Sequence, residues 1–133
     1  MANETILVIE DNDKNRKLAR DVLVHRGYRV AEAASAEDGL RMAGESPPDL
    51  VLMDIHLPGM NGIEALAQLR AQPATRSIPV IAFTASVMPQ DRHTITSAGF
   101  DGFLSKPIAI KELTETIGAA LAARARANEA NGA

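Results

Sequence analysis

The sequence predicts an α/β protein, a doubly wound parallel sheet of five strands covered on both faces by five helices. Three observations point there. Short apolar runs, at 5–10 (TILVIE), 28–33 (YRVAEA), 50–53 (LVLM), 80–83 (VIAF) and 102–105 (GFLS), alternate with amphipathic stretches of helical length. Strands separated by helices require right-handed crossovers, which leave the sheet parallel and covered on both sides. Four of the runs also stop at groups able to handle phosphate: Glu10-Asp11, Asp54, Thr84, and Lys106 followed by Pro107. Ligand sites of open α/β sheets lie beyond the carboxyl ends of the strands, so the fold that hides the apolar runs gathers these polar residues at one edge.

Each element has its own local signal. After the first strand, 13–26 puts Leu18, Val22 and Leu23 on one helical face and meets Gly27, a helix stop. The run 28–33 reads as a short strand. Ser35, with Asp38 three residues on, is a looser form of the capping box and opens a helix through Leu40 and Ala43 that Pro47-Pro48 ends. The turn-rich LPGMNG (57–62) follows Asp54 and leads into a helix over 63–71 presenting Ile63, Leu66 and Leu69. Pro79 admits the next strand, and Pro89 suits the first turn of a helix ending before Gly99. A last helix, 110–123, carries Leu113, Ile117 and Leu121 at helical spacing. Residues 1–123 form one domain in this reading, and 124–133 a frayed, disordered tail.

Composition narrows the function classes. A chain of 133 residues with 46% hydrophobic and 23% charged residues fits one globular domain. Its net charge of −3 offers no general attraction for nucleic acid or an acidic membrane. Without cysteine there are no disulfides, thiolate zinc sites or thiol nucleophiles. The N-terminus lacks the basic region of a signal peptide, and the longest apolar runs, about five residues, fall far short of the ~20 that span a bilayer. A cytoplasmic protein is expected.

The chemistry resides in the strand-end residues. Asp11 or Asn12 would serve as a helix N-cap, but the pair Glu10-Asp11 also suits Mg²⁺, a hard cation that takes a few carboxylates and keeps several waters. Asp11 is the preferred direct ligand, with Glu10 acting directly or through water. Asp54 would serve as a strand terminator or cap; one strand from Asp11, however, it crowds like charges at a buried edge, which is costly unless a cation intervenes. That makes Asp54 the candidate nucleophile for an acyl phosphate. Thr84 is either a plain β-branched strand residue or a hydroxyl donor to a phosphoryl oxygen. Lys106 precedes Pro107, and an X-Pro bond has ready access to the cis form. Turned inward, Lys106 would pair with Asp54 when the site is empty and with phosphate when it is filled. His56 offers a backbone carbonyl to a metal while its imidazole faces solvent. His25 and His93 show no ligand spacing around it and belong on solvated helix faces.

Together ILVIEDN, LVLMDIHLPGMNG, PVIAFTA and FLSKP, in this order and at these intervals, resemble a response-regulator receiver domain, the phosphoacceptor module of two-component systems. The likeness covers about residues 4–123. It implies a flavodoxin-like (CheY-like) fold with strand order 2-1-3-4-5, Asp54 as phosphorylation site, and Mg²⁺ held by Glu10, Asp11, Asp54 and the His56 carbonyl. Thr84 and Lys106 would grip the phosphoryl oxygens. Phe103 stands at the family's switch-aromatic position, and His56 and Ser86 would face the water that removes the phosphoryl group. Within the family, EDNDKNRKL and TASVMPQDR are similar to single-domain DivK-type regulators and to receivers attached to hybrid kinases.

Little more than one helix follows Lys106, so no output domain is expected. Function is then exerted through surfaces: the protein takes a phosphoryl group from a histidine kinase or histidine phosphotransferase and engages a downstream protein through the fourth helix, last strand and last helix. Alternatives are a phosphate shuttle between two His donors, a receiver excised from a hybrid kinase, and a small Asp-nucleophile phosphatase. For the last, Asp54-Ile55-His56 lacks the second Asp of haloacid-dehalogenase-like enzymes.

Overall fold

A computed structural model describes residues 4–84 and 89–132, with side-chain surroundings for all of these except 89–92, 96 and 127–132. The elements are β1 (Thr5–Ile9), α1 (Asp13–His25), β2 (Arg29–Ala33), α2 (Ala36–Glu45), β3 (Leu50–Asp54), α3 (Gly62–Ala71), β4 (Val80–Thr84), α4 (Pro89–Ala98), β5 (Gly102–Ser105) and α5 (Ile110–Gly132). All strand pairs are parallel, in the order β2-β1-β3-β4-β5, as the sequence predicts.

The helices start where side chains replace the missing backbone acceptors. Asn12, Ser35 and Asn61 accept from the N–H groups of Asn15, Asp38 and Glu64 at 3.0, 3.2 and 2.9 Å, each satisfying one orphan donor of the first turn. Gly27 follows α1 with φ 94° and Gly99 follows α4 with φ 104°. This left-handed conformation costs glycine little, and it turns the chain out of the helix.

Period-2 alternation divides the apolar side chains between two cores. Leu7, Ile9, Val51, Met53, Val80 and Ala82 pack toward α2, α3 and α4. Ile6, Val8, Leu50, Leu52, Ile81, Phe83 and Leu104 pack toward α1 and α5, against Ala19, Leu23, Leu113 and Ile117. The central strands β3 and β4 are buried along their whole length, which explains why they read as continuous apolar runs rather than alternating ones.

Two expectations need correction. Leu18 is 42% exposed, and the buried line of α1 runs through Ala19 and Leu23. With 3.6 residues per turn, position 18 sits about 100° round from position 19 and faces outward. The last helix does not stop near 123 but continues to Gly132. Its extension, ARARANEA, is rich in good helix formers, and Arg124 ties it to the sheet by donating to the Asp49 carbonyl at 2.6 Å.

Candidate functional site

The same alternation that sorts the cores aims the polar strand ends. Glu10 continues the line of Ile6 and Val8, Asp54 that of Leu50 and Leu52, and Lys106 that of Leu104, all on the α1/α5 face. Thr84 instead continues Val80 and Ala82 on the opposite face. Phe103, paired in register with Ala82, lies on that face too and packs, half-buried, against its core.

Three carboxylates meet at this edge. Glu10 and Asp54 are buried and Asp11 is exposed, and one oxygen from each lies within 4.8 Å of the others. Lys106 reaches into the gap. Its Nζ stands 2.6 Å from Glu10 Oε1 and donates to Asp54 Oδ2 at 2.9 Å, with the Phe83 ring centroid 5.0 Å away. The contact with Glu10 Oε1 is a close ion pair without the alignment of a good hydrogen bond. The Lys106–Pro107 bond is cis. The Lys106 N–H also donates to the Thr84 carbonyl at 2.8 Å, so the ends of β4 and β5 are tied together. Asp54 Oδ1 accepts the His56 N–H at 2.9 Å, and the His56 side chain is exposed, as are His25 and His93.

Crowding shows in the ionisation of the group. Burial, reinforced by the neighbouring Asp54, pushes the Glu10 carboxyl up to about 7. Burial acts to raise Asp54 as well, but the hydrogen bonds from Glu10, Lys106 and the His56 N–H outweigh it and hold Asp54 below its usual value. Burial likewise acts to lower Lys106, and its two carboxylate partners overcome it and raise the ammonium's pKa. The site therefore keeps Asp54 ionised and Lys106 charged, while Glu10 holds its proton up to near neutral pH.

This donor set fits Mg²⁺. It offers hard oxygen ligands, two of them buried, with more carboxylates than the single ammonium neutralises. Glu10, Asp11 and Asp54 would hold such an ion.

Two contributors were not legible in the sequence. A Cβ on Gly62 would lie 2.7 Å from the Asp54 carbonyl oxygen and 2.8 Å from Ile55 Cα, and the Gly62 N–H closes the loop onto the Ile55 carbonyl at 3.0 Å. Only glycine lets α3 start this close to Asp54, whereas LPGMNG reads simply as turn chemistry. Arg16 reads as a polar position of α1, yet it donates to the Glu10 carbonyl at 2.8 Å. Ser86 lies outside the described residues.

Residues 6–118 match the response regulator receiver domain family. The chain belongs to that family. It is 40% identical over 114 residues to the polar-differentiation response regulator DivK of Brucella ovis, covering 86% of this chain and 93% of that one. Among solved structures it resembles the receiver domain of a sensor histidine kinase from Pseudomonas aeruginosa, which has a magnesium ion coordinated in its active-site cleft. There the identity is 33%, the TM-score 0.84, and the coverage 90% of this chain and 98% of that one. It also resembles the chemotaxis protein CheY4 of Vibrio cholerae (25% identity, TM-score 0.83, 88% and 98% covered). The chain is thus a DivK-like response regulator of two-component signalling, a class of receiver that works with histidine kinases or other protein partners. Among the described residues, no helix is long and apolar enough to cross a membrane.

Proposed function

We propose that Asp54 accepts a phosphoryl group from a phosphohistidine donor and that the resulting aspartyl phosphate switches protein binding. The observation that carries this reading is the state of Asp54: a buried carboxylate kept ionised, with Lys106 on one oxygen and the His56 N–H on the other. An Asp54 oxygen forms the new bond to phosphorus as the phosphorus–nitrogen bond to the donor imidazole breaks; that nitrogen keeps the electron pair, and the imidazole, protonated on its other ring nitrogen, leaves as the neutral ring. Glu10, Asp11, Asp54 and the His56 carbonyl would hold Mg²⁺, which supplies charge neutralisation at the phosphoryl oxygens. Lys106 exchanges its carboxylate contact for a phosphoryl oxygen, and the Thr84 hydroxyl donates to another.

The protein acts in this reading as a phosphoacceptor rather than as an enzyme turning over a separate substrate. Thr84 and Phe103 share one face of adjacent strands, so movement of Thr84 toward the phosphoryl group opens space for the Phe103 ring. The surface of α4, β5 and α5 then changes for a downstream protein. The donor is a histidine kinase or a histidine phosphotransferase, and the setting is the cytoplasm, where kinases draw on ATP.

Incubation with acetyl phosphate and Mg²⁺, read by intact mass, tests the proposal. A Mg²⁺-dependent gain of about 80 Da in the parent and none in Asp54→Asn is expected. An equal gain in Asp54→Asn, or a parent that neither gains mass nor binds beryllofluoride with Mg²⁺, overturns it.

A further inference from the structure

We infer that Arg16 is a positioning residue for the cation-binding acidic turn: its guanidinium holds the Glu10 carbonyl and so sets the direction in which Asp11 points. The inference rests on the Mg²⁺ role proposed above for Glu10 and Asp11. Only Glu10, Asp11 and Asn12 connect β1 to α1. The turn is anchored before the Glu10–Asp11 peptide by the Glu10 N–H, which donates to the Ala33 carbonyl at 3.0 Å. After that peptide, Asn12 is locked as the helix cap, its side chain accepting from Asn15 and its carbonyl from the Arg16 N–H at 2.9 Å. The Asp11–Asn12 peptide is held by its own N–H, which points to Glu10 Oε2 at 3.5 Å, so the peptide between Glu10 and Asp11 is the joint that Arg16 is left to fix. Rotating it would swing the Asp11 side chain relative to the buried carboxylates of Glu10 and Asp54.

Arg16 fixes that joint. Nη1 donates to the Glu10 carbonyl at 2.8 Å, Nη2 to Asp13 Oδ1 at 2.6 Å, and Nε lies 3.4 Å from Glu32 Oε1. Glu32 sits on the adjoining strand β2 and is held in turn by Arg20 at 3.2 Å. The guanidinium is mostly buried, its side chain 19% exposed. A planar fork engaged on three sides imposes direction as well as charge, which an ammonium cannot match.

Charge and positioning predict opposite signs. Removing a cation from the acidic turn tightens Mg²⁺ binding if Arg16 acts by charge alone. It weakens binding if Arg16 acts by orienting the turn. Titration calorimetry of Mg²⁺ into the full chain at fixed pH distinguishes them, with parent, Arg16→Ala, Arg16→Lys and Arg70→Ala compared. Both Arg16 variants should raise the Mg²⁺ Kd about tenfold, the usual effect of losing a partner that orients metal ligands. Phosphorylation by acetyl phosphate at saturating Mg²⁺ should stay within about threefold of the parent, because weakened cation binding is then overcome by mass action.

Arg70→Ala removes an arginine at the far end of the sheet that donates to the Ile78 carbonyl at 2.6 Å and to Asp101 at 2.9 Å, and it should lower thermal stability while leaving the Kd at the parental value; if it raises the Kd as much, the effect is mere destabilisation and the proposal fails. An unchanged or tighter Kd in Arg16→Ala, or a parental Kd in Arg16→Lys, also overturns it. If Arg16→Ala does not fold, Arg16→Lys decides alone. A parent that does not bind Mg²⁺ removes the functional reading and this inference together, whereas a parent that binds normally beside unaffected Arg16 variants removes this inference only.

Discussion

The two ends of one sheet treat their acidic residues in opposite ways. At the amino end, Asp49 precedes β3 and Asp101 precedes β5, and each forms the same clasp with a neighbouring strand. The Asp49 N–H donates to the Thr5 carbonyl and the Thr5 N–H donates back to the Asp49 carboxylate, both at 2.8 Å. Asp101 and Val80 repeat the exchange at 2.9 and 2.8 Å. An arginine completes each clasp, Arg124 at 3.5 Å and Arg70 at 2.9 Å. At the carboxyl end, Glu10 and Asp54 are more deeply buried, and Lys106 serves both, with Asp11 close by. One end satisfies each carboxylate where it stands. The other concentrates charge beyond what its own residues neutralise, which suits the cation and phosphoryl role proposed for it and would be costly in a structural joint.

Breaking the carboxyl-end arrangement should have the largest effect. Lys106→Ala leaves two buried carboxylates without their ammonium, and we expect the metal-free protein to lose about 3 kcal/mol in urea unfolding at pH 8. Saturating Mg²⁺ should recover most of that loss. Failure of Mg²⁺ to do so would mean that the acidic cluster does not take the ion.

Asp101→Ala should be smaller and insensitive to metal. It strips an acceptor from the Val80 N–H and from Arg70 and should cost about 2 kcal/mol, with or without Mg²⁺. A loss that Mg²⁺ reverses would erase the distinction between the two ends.

Glu10→Gln should have the smallest effect and the opposite sign. The folded protein keeps the Glu10 proton up to about 7, whereas the unfolded chain releases it near 4.5. The folded state therefore binds more protons across that window, and metal-free stability falls as pH rises from about 4.5 to about 7. Asp54 is shifted downward from 3.8 and Lys106 upward from 10.5, so their contributions change outside this window. Glu10→Gln should flatten the slope and stabilise the metal-free protein at pH 8 by about 1 kcal/mol. An unchanged thermal-unfolding profile between pH 5 and 8 would show that Glu10 does not carry the cost of crowding.

Much of this was legible without coordinates, for a definite reason. A buried strand reports itself as a short apolar run that stops at a polar residue, and a helix reports its boundaries through caps and glycines, both local signals. The five strands, the caps at Ser35 and Gly27, and the meeting of Glu10, Asp11, Asp54, Thr84 and Lys106 at one edge all follow from them. Where a local pattern was ambiguous it misled. Leu18 belongs to the apolar spacing of α1 yet faces solvent, and the polar, alanine-rich stretch after position 123 reads as tail yet continues α5.

Sequence alone determined which residues end each strand and that Glu10, Asp11, Asp54, Thr84 and Lys106 gather at one edge of a parallel sheet. Only the tertiary structure decided how they share charge. That Lys106 serves two carboxylates, that Glu10 is pushed up to about 7 while Asp54 is held below its usual value, and that Arg16 holds the Glu10 carbonyl depend on desolvation and on distances of a few ångströms between segments far apart in the chain. Those distances are set by strand order and register, and no local pattern of residues encodes them.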